Sequence, residues 1–136
     1  MTDDIKIAVV VRSDLETWQK LNVTAFLSSG LGTSAPELIG RAYEDASGLK
    51  YHPMFGVPVL VFAADAPGLR RAFDRARARG LVMAVYTDEL FTTGNDVDNR
   101  AAVAAVTTEN LSLAGLAVAG DRRTVDKALD KLRLHP

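Results

Sequence analysis

The stretch Lys6-Ile-Ala-Val-Val-Val-Arg-Ser-Asp-Leu15 decides the fold. A short apolar run, rich in β-branched residues, stops abruptly at Arg12, Ser13 and Asp14, and the chain then changes period. The run is too short for a helix and apolar at both alternating sets of positions. It therefore reads as a strand over residues 5–12, buried on both faces. Strands of that kind lie in the middle of α/β sheets, and ligands bind in the crevice outside their carboxyl ends. Asp14, just past the end of the run, is the first residue to test for function.

Working outward, the segment from Trp18 to Leu31 reads as a helix with Val23, Phe26, Leu27 and Gly30 on one stripe, ended by Gly30 and Gly32. Ser34-Ala-Pro-Glu37 has the form of a capping box with proline in the first turn. Gly40 and the Asp45-Ala-Ser-Gly48 turn between Tyr43 and Tyr51 favour a hairpin instead, so residues 33–56 are expected as a short helical turn followed by an irregular hairpin. Pro58 to Ala63 is a second buried strand with its proline at the edge. Residues 66–79 form an amphipathic helix on the stripe Leu69, Ala72, Phe73 and Ala76, closed by Gly80. Leu81 to Tyr86 is the third strand, Thr87 to Arg100 a polar stretch, and Ala101 to Val106 one or two helical turns. Leu111 to Val118 is the fourth strand. A last helix is expected from Arg122 to Leu134, with Val125, Ala128, Leu129 and Leu132 facing inward. Strands alternating with helices predict one α/β domain over residues 1–136, its sheet covered on both faces.

The 136 residues are 48% apolar and 24% charged, ordinary for a globular domain. The net charge of −1 supplies no global field for nucleic acid or acidic membranes. With no cysteine, thiolate catalysis and cysteine-rich zinc sites are excluded. With only His52 and His135, a multi-histidine metal site is not expected, and neither is a cofactor. Met-Thr-Asp-Asp at the start does not read as a signal peptide, and no uncharged apolar stretch is long enough to span a bilayer. The expectation is a cytoplasmic enzyme or binding domain.

Two loops carry the candidate chemistry, Arg12 to Asn22 and Thr87 to Asp96. If the first and third strands are parallel, Asp14 and Asp88 share one edge of the sheet. Lys20, Asn22, Thr92, Thr93, Asn95 and Asp96 could then converge with them. A carboxylate beside an ammonium and a hydroxyl can orient water and donate to a developing oxyanion. The same residue types also cap helices and stabilise turns, which is their commoner use. Asp96-Val-Asp98-Asn99 resembles the start of a calcium loop, but Arg100 takes the next ligand position, so a turn into a helix is expected. Gly30-Leu-Gly32 follows a helix, the wrong context for a dinucleotide fingerprint. Arginines 70, 71, 75, 77 and 79 form a row that reads as a solvated face, while Arg122 and Arg123 at a helix start are slightly better anion candidates. His52 reads as a structural loop residue. Trp18 is either a packed aromatic or the wall of a ligand site.

Lys6-x-x-Val-Val-Val-Arg-x-Asp-Leu15 resembles the opening of the type II peptidyl-tRNA hydrolases. The small-apolar strand at 111–119, followed by Thr-Val-Asp-Lys-Ala-Leu, resembles their ending. Nearly the whole chain is similar to a bacterial family known as domain of unknown function 2000. The matching pieces are the opening strand, Pro58-Val-x-Val, the Arg-Ala-rich helix, Tyr-Thr-Asp-Glu-Leu-Phe-x-Thr-Gly-Asn-Asp-x-x-Asn99 and the final strand–helix. The resemblance implies a peptidyl-tRNA hydrolase II-like, three-layer α/β/α fold with a mixed four-stranded sheet, and a homodimer. Residue by residue, Lys20 falls near the hydrolases' lysine segment, and Asp88 and Thr92 reproduce their spacing of an aspartate and a threonine. Asn22 and Phe26 stand near a second lysine and a glutamine, and the hydrolases' Ala-Gly-Arg and later glutamine are absent here.

Two readings follow. One is a hydrolase acting on an ester or amide, with Asp14, Lys20, Asp88 and Thr92 as catalytic groups and Arg12, Asn22, Thr93, Asn95, Asp96 and Asn99 holding the ligand. The other is a non-catalytic module for a small molecule or partner, with the same fold and a re-lined crevice. RNA binding without catalysis is a third and weaker reading, given the near-neutral charge.

Overall fold

The apolar run near the amino terminus forms strand β1, Ile5–Arg12, at the centre of a five-stranded sheet. The structure, a computed structural model, describes residues 4–136. Residues 7–10 have no solvent exposure at all, as a strand covered on both faces requires. β4 (Val59–Ala64) runs parallel to β1 on one side, and β6 (Leu113–Asp121) runs antiparallel on the other. β5 (Val82–Thr87) pairs antiparallel with β6, and so points the same way as β1. The carboxyl ends of β1, β4 and β5 therefore share one edge of the sheet.

The alternation of side chains along β1 sorts the core into two clusters. Ile7, Val9 and Val11 pack with Val23, Leu27 and Leu31 of helix α1, Thr17–Ser34. Ala8 and Val10 face Leu69 and Phe73 of α2 (Ala66–Ala78), Val125 of α4 (Arg122–Ala128) and Leu129 just beyond it. The chain is thus a three-layer α/β/α sandwich with a mixed sheet. Fully burying a side chain of this size stabilises by about 1.5–3 kcal/mol, so these two seams carry most of the fold. Side-chain caps open α2 and α4. Asp65 accepts from the backbone N–H of Gly68 at 2.8 Å, and Asp121 from that of Thr124 at 3.2 Å.

Several expectations need correction. The sheet has a fifth strand, β7 (Arg133–Leu134), where the last helix was expected to continue. α4 ends at Ala128, Lys131 takes a left-handed conformation (φ 71°), and the chain turns to pair with the open edge of β4. Val125, Ala128 and Leu129 still face the core, so the inward stripe is as expected although the backbone differs. α1 does not stop at Gly30 or Gly32 but continues to Ser34. A Cβ on Gly30 would stand 3.0 Å from the Ala84 Cβ, so this glycine lets the helix lie close on β5. Gly115 acts in the same way from the sheet side, where a Cβ would overlap Val23 Cγ1.

The polar stretch after β5 is more ordered than expected. A 3₁₀ turn covers Asp88–Phe91, and helix α3 begins at Asp96 and runs to Ala104. Asn95 is its cap, accepting from the backbone N–H of Asp98 at 2.8 Å. A second 3₁₀ turn at Pro36–Leu38 leads to the hairpin of β2 (Tyr43–Glu44) and β3 (Lys50–Tyr51), as expected, with Gly48 at φ 86° in its turn. Ser34 makes no capping bond there, and Ala35 occupies the cap position.

Candidate functional site

Two clusters occupy the region where β1, β5 and β6 meet. The first is built on Arg12, the last residue of β1. Its guanidinium donates to Asp14 Oδ1 at 2.6 Å, to both oxygens of Asp88 at 2.8 and 2.9 Å, and to the Leu113 carbonyl at 2.8 Å. The fork toward Asp88 is the bidentate geometry that makes arginine–carboxylate pairs strong. Asp88 also accepts from the Ser112 hydroxyl, and its own backbone N–H donates to the Ser112 carbonyl at 2.9 Å. Burial alone would raise the Asp88 pKa, but the bonds from Arg12 and Ser112 outweigh it and hold the carboxyl below its usual range. Arg12 is held protonated, first by its bond to Asp88 and then by Asp14, against the opposing effect of burial. The expected meeting of Asp14 and Asp88 at one edge thus occurs, but through an arginine that occupies both.

The second cluster is a cavity of about 700 Å³ between α1, the end of β5 and the segment leading into α3. Its aromatic wall is Trp18, Phe26, Tyr86 and Phe91. Trp18 stands edge-on to Phe91 (centroids 6.0 Å apart), Tyr86 tilts against Phe91 at 5.0 Å, and Phe26 against Tyr86 at 5.9 Å. Trp18 and Phe26 remain more than half exposed, so the wall is open to solvent. Polar groups enter at fixed points. Asn22 Nδ2 donates to the Tyr86 hydroxyl at 3.3 Å, and that hydroxyl donates to the Leu90 carbonyl at 3.4 Å. Both distances are long for such bonds. Burial, the larger effect, raises the Tyr86 pKa and keeps it a phenol, opposed by the bond from Asn22. The single proton of the Thr93 hydroxyl is within reach of Asn99 Oδ1 and of the Leu90 carbonyl. At the mouth, Arg100 and Asp96 neutralise each other in an ion pair of 3.0 Å.

The candidate residues therefore fall in separate places. Asn22, Thr93, Asn95, Asp96 and Asn99 line the aromatic cavity, while Arg12, Asp14 and Asp88 form the charged cluster. Lys20 belongs to neither, since its Nζ lies 3.2 Å from His135 Nε2 in a different groove. The Thr92 hydroxyl donates to the Glu89 carbonyl at 2.9 Å and closes the 3₁₀ turn. Asp14, Lys20, Asp88 and Thr92 thus do not line one crevice. Asp98 accepts from Asn95, and Asp96 binds Arg100, so the would-be calcium loop is a helix start. Among the described residues no group of acidic or histidine side chains could hold a metal. Arg70 is tied to Asp74 and to the Thr108 carbonyl, and Arg71, Arg77 and Arg79 are exposed.

Phe26, Tyr86, Phe91 and Ser112 were not among the candidates. A signal for the first was present, because Trp18, Asn22, Phe26 and Gly30 recur every fourth residue and so share one helix face. Tyr86 follows Ala84 on the same face of β5. Nothing in the sequence singles out Ser112.

The family profile described as "Protein of unknown function (DUF2000)" matches residues 5–136. A solved structure of a protein of unknown function from Agrobacterium tumefaciens strain C58 is 40% identical, covers 98% of each chain and superposes with a TM-score of 0.93. No curated protein matches the chain. Among the described residues no helix is long and apolar enough to cross a membrane.

Proposed function

The chain belongs to the DUF2000 family of proteins of unknown function, and from that premise we propose that it is a binding module for a small, neutral, planar ligand. The observation that carries this reading is the aromatic cavity, whose size is in the usual range of ligand sites, roughly 300–1,000 Å³. Four aromatic side chains offer flat apolar contact. Asn22 and the loosely held Tyr86 hydroxyl offer directional hydrogen bonds. The single ion pair at the mouth is already neutralised, so the lining favours uncharged polar groups over an acid or an amine.

Hydrolysis of an ester or amide, which the resemblance to peptidyl-tRNA hydrolases implies, has less support. A carboxylate acting as general base must be free to take a proton near the operating pH. Asp88 accepts three donors and is held ionised, and Lys20 and Thr92 are engaged elsewhere.

Trp18 is the only tryptophan and stands in the cavity wall, so its fluorescence reports occupancy directly. Titration with a panel of neutral heteroaromatic compounds should reveal a saturable fluorescence change. That change should weaken in Asn22→Ala and Phe91→Leu, with no compound consumed. Binding that ignores both substitutions, or turnover of an ester or peptidyl-tRNA abolished by Asp88→Asn, would overturn the reading.

A further inference from the structure

The longest unbroken exposed run lies far from the cavity. Residues 40–54 are all exposed, and they form the β2–β3 hairpin. The root of this arm is firmly fixed. Gly40 N–H donates to the Met54 carbonyl and Gly56 N–H to the Leu38 carbonyl, both at 2.8 Å, and Ile39 bridges to Phe55. A Cβ on Gly40 would stand 3.3 Å from the Gly56 Cα, so the two chains touch there backbone to backbone. Beyond the root every residue of the hairpin is exposed.

The arm nevertheless has two unlike faces. Tyr43 pairs directly with Tyr51, so both point to one side, and alternation puts Leu49 and Asp45 on that side as well, with the Tyr51 hydroxyl donating to Asp45 Oδ2 at 2.8 Å. Glu44 pairs with Lys50 on the other side. Tyr43, Leu49 and Tyr51 are each about half exposed or more. A two-stranded hairpin is at best marginally stable alone in water, and packing of its apolar face is what usually secures it. The total surface points the same way. The chain exposes 8353 Å², against roughly 6,900 Å² for a compact monomer of its mass. The difference exceeds the roughly 800 Å² that each partner of a standard interface buries.

The same chain carries a second groove, with apolar side chains in its lining. Helix α1 covers β5, β6 and β1 but leaves β4 open on that face. There Leu21 and Ala25 of α1, with Val11 and Val61 of the sheet, line a cavity of about 470 Å³ with Lys20 and His135 at its rim. Leu21 is 67% exposed. The ligand cavity is lined by three asparagines and one threonine as well as aromatics, whereas in this groove the apolar side chains stand among the hydroxyls of Thr17, Thr24 and Ser28, a lining that suits the tyrosine rings and Leu49 of the arm.

We propose that the arm of one copy seats its Tyr43–Leu49–Tyr51 face in the Leu21–Ala25–Val61 groove of a second copy. Because arm and groove are on one chain, a two-fold axis satisfies both arms and both grooves at once, which closes the assembly at two. A partner of another kind would cover the arm and leave the groove empty. This contact does not involve the aromatic cavity, so it stands apart from the ligand reading.

The test is the mass of the full chain in solution by light scattering after size exclusion, at tens of micromolar. The wild type should run at twice 14.6 kDa. Tyr43→Ser combined with Tyr51→Ser, and separately Ala25→Glu, should each give monomers with unchanged far-ultraviolet circular dichroism. All three positions are exposed, and Glu44→Ala on the opposite face should remain dimeric as the control. Mixing the arm variant with the groove variant should restore dimers, since one intact arm then meets one intact groove. A monomeric wild type, a dimer indifferent to both variants, or a mixture that stays monomeric overturns the proposal.

Discussion

The Arg12 cluster and the aromatic cavity both draw on the segment that follows β5, yet their polar groups are in opposite condition. Around Arg12 the bonds are short, 2.6 to 2.9 Å, and four of its five donors' worth of bonding is in use. Around Tyr86 the bonds are 3.3 and 3.4 Å, beside empty space. A charged group with four of its five donors engaged has little left for a ligand. A polar group held loosely at the edge of a void has both capacity and room. Density of charge, the feature that draws attention in a sequence, marks the part of this edge that holds the fold together.

The sharpest way to break this comparison is to remove Arg12. Arg12→Ala should destabilise the chain by about 2–3 kcal/mol, because charge-assisted bonds are lost and Asp88 stays half-buried with Ser112 alone. Urea unfolding measures this, and ligand affinity at the aromatic cavity should be unchanged. The pair also fixes an acid dependence. An Asp88 carboxyl whose folded pKa lies below the unfolded value, near about 3.9, contributes stability fully above that value and loses it as pH falls through the folded one. The wild type should therefore weaken on going below about pH 4, and Arg12→Ala should lose this component. Salt screening limits its size, since Asp88 is about a third exposed. A variant that keeps full stability but loses ligand would exchange the roles of the two clusters.

The complementary change is Tyr86→Phe. The ring and its contacts with Phe26 and Phe91 stay in place, and only two long hydrogen bonds disappear. Stability should shift by less than about 0.5 kcal/mol, while affinity for a hydrogen-bonding planar ligand should drop about five- to tenfold, roughly 1 kcal/mol. Titration of Trp18 fluorescence in both variants gives a double dissociation. If Tyr86→Phe instead unfolds the protein and leaves binding intact, the cavity is a packing defect and not a site.

Local patterns made much of this architecture readable. β1 is apolar at every position from Ile7 to Val11, the α2 stripe is strictly periodic, and the turn between Tyr43 and Tyr51 has its own glycine. What escaped reading depends on partners distant in sequence. Gly30 looks like a terminator until Ala84 is seen beneath it, and Arg133–Leu134 becomes a strand only because β4 has an open edge. The same holds for the candidate site. Asn22, Thr93 and Asn99 could be proposed from their loops, but what they face is set by Tyr86 and Phe91. Position along the chain groups Lys20 with the carboxylates. A helix turns about 100° per residue, and that rotation carries Lys20 to the groove side while Trp18 and Asn22 face the cavity.

Thr87 gives the finest test of the boundary between the two clusters, because it sits between Tyr86 on one side and Asp88 on the other. It is 1% exposed, and among the described residues its hydroxyl is the one buried side-chain polar atom without a hydrogen-bond partner. The strand register shifts at this point, so the backbone that delivers Tyr86 to the cavity and Asp88 to Arg12 is irregular here. A buried hydroxyl that bonds to nothing costs desolvation energy with no return. Thr87→Val keeps the branched shape and removes that cost, so it should raise stability by about 0.5–1 kcal/mol and leave ligand affinity as it was. Paired thermal melts and Trp18 titrations measure both. A loss of stability would mean that the hydroxyl is satisfied in solution, and a loss of affinity would extend the ligand site across the strand into the Arg12 cluster.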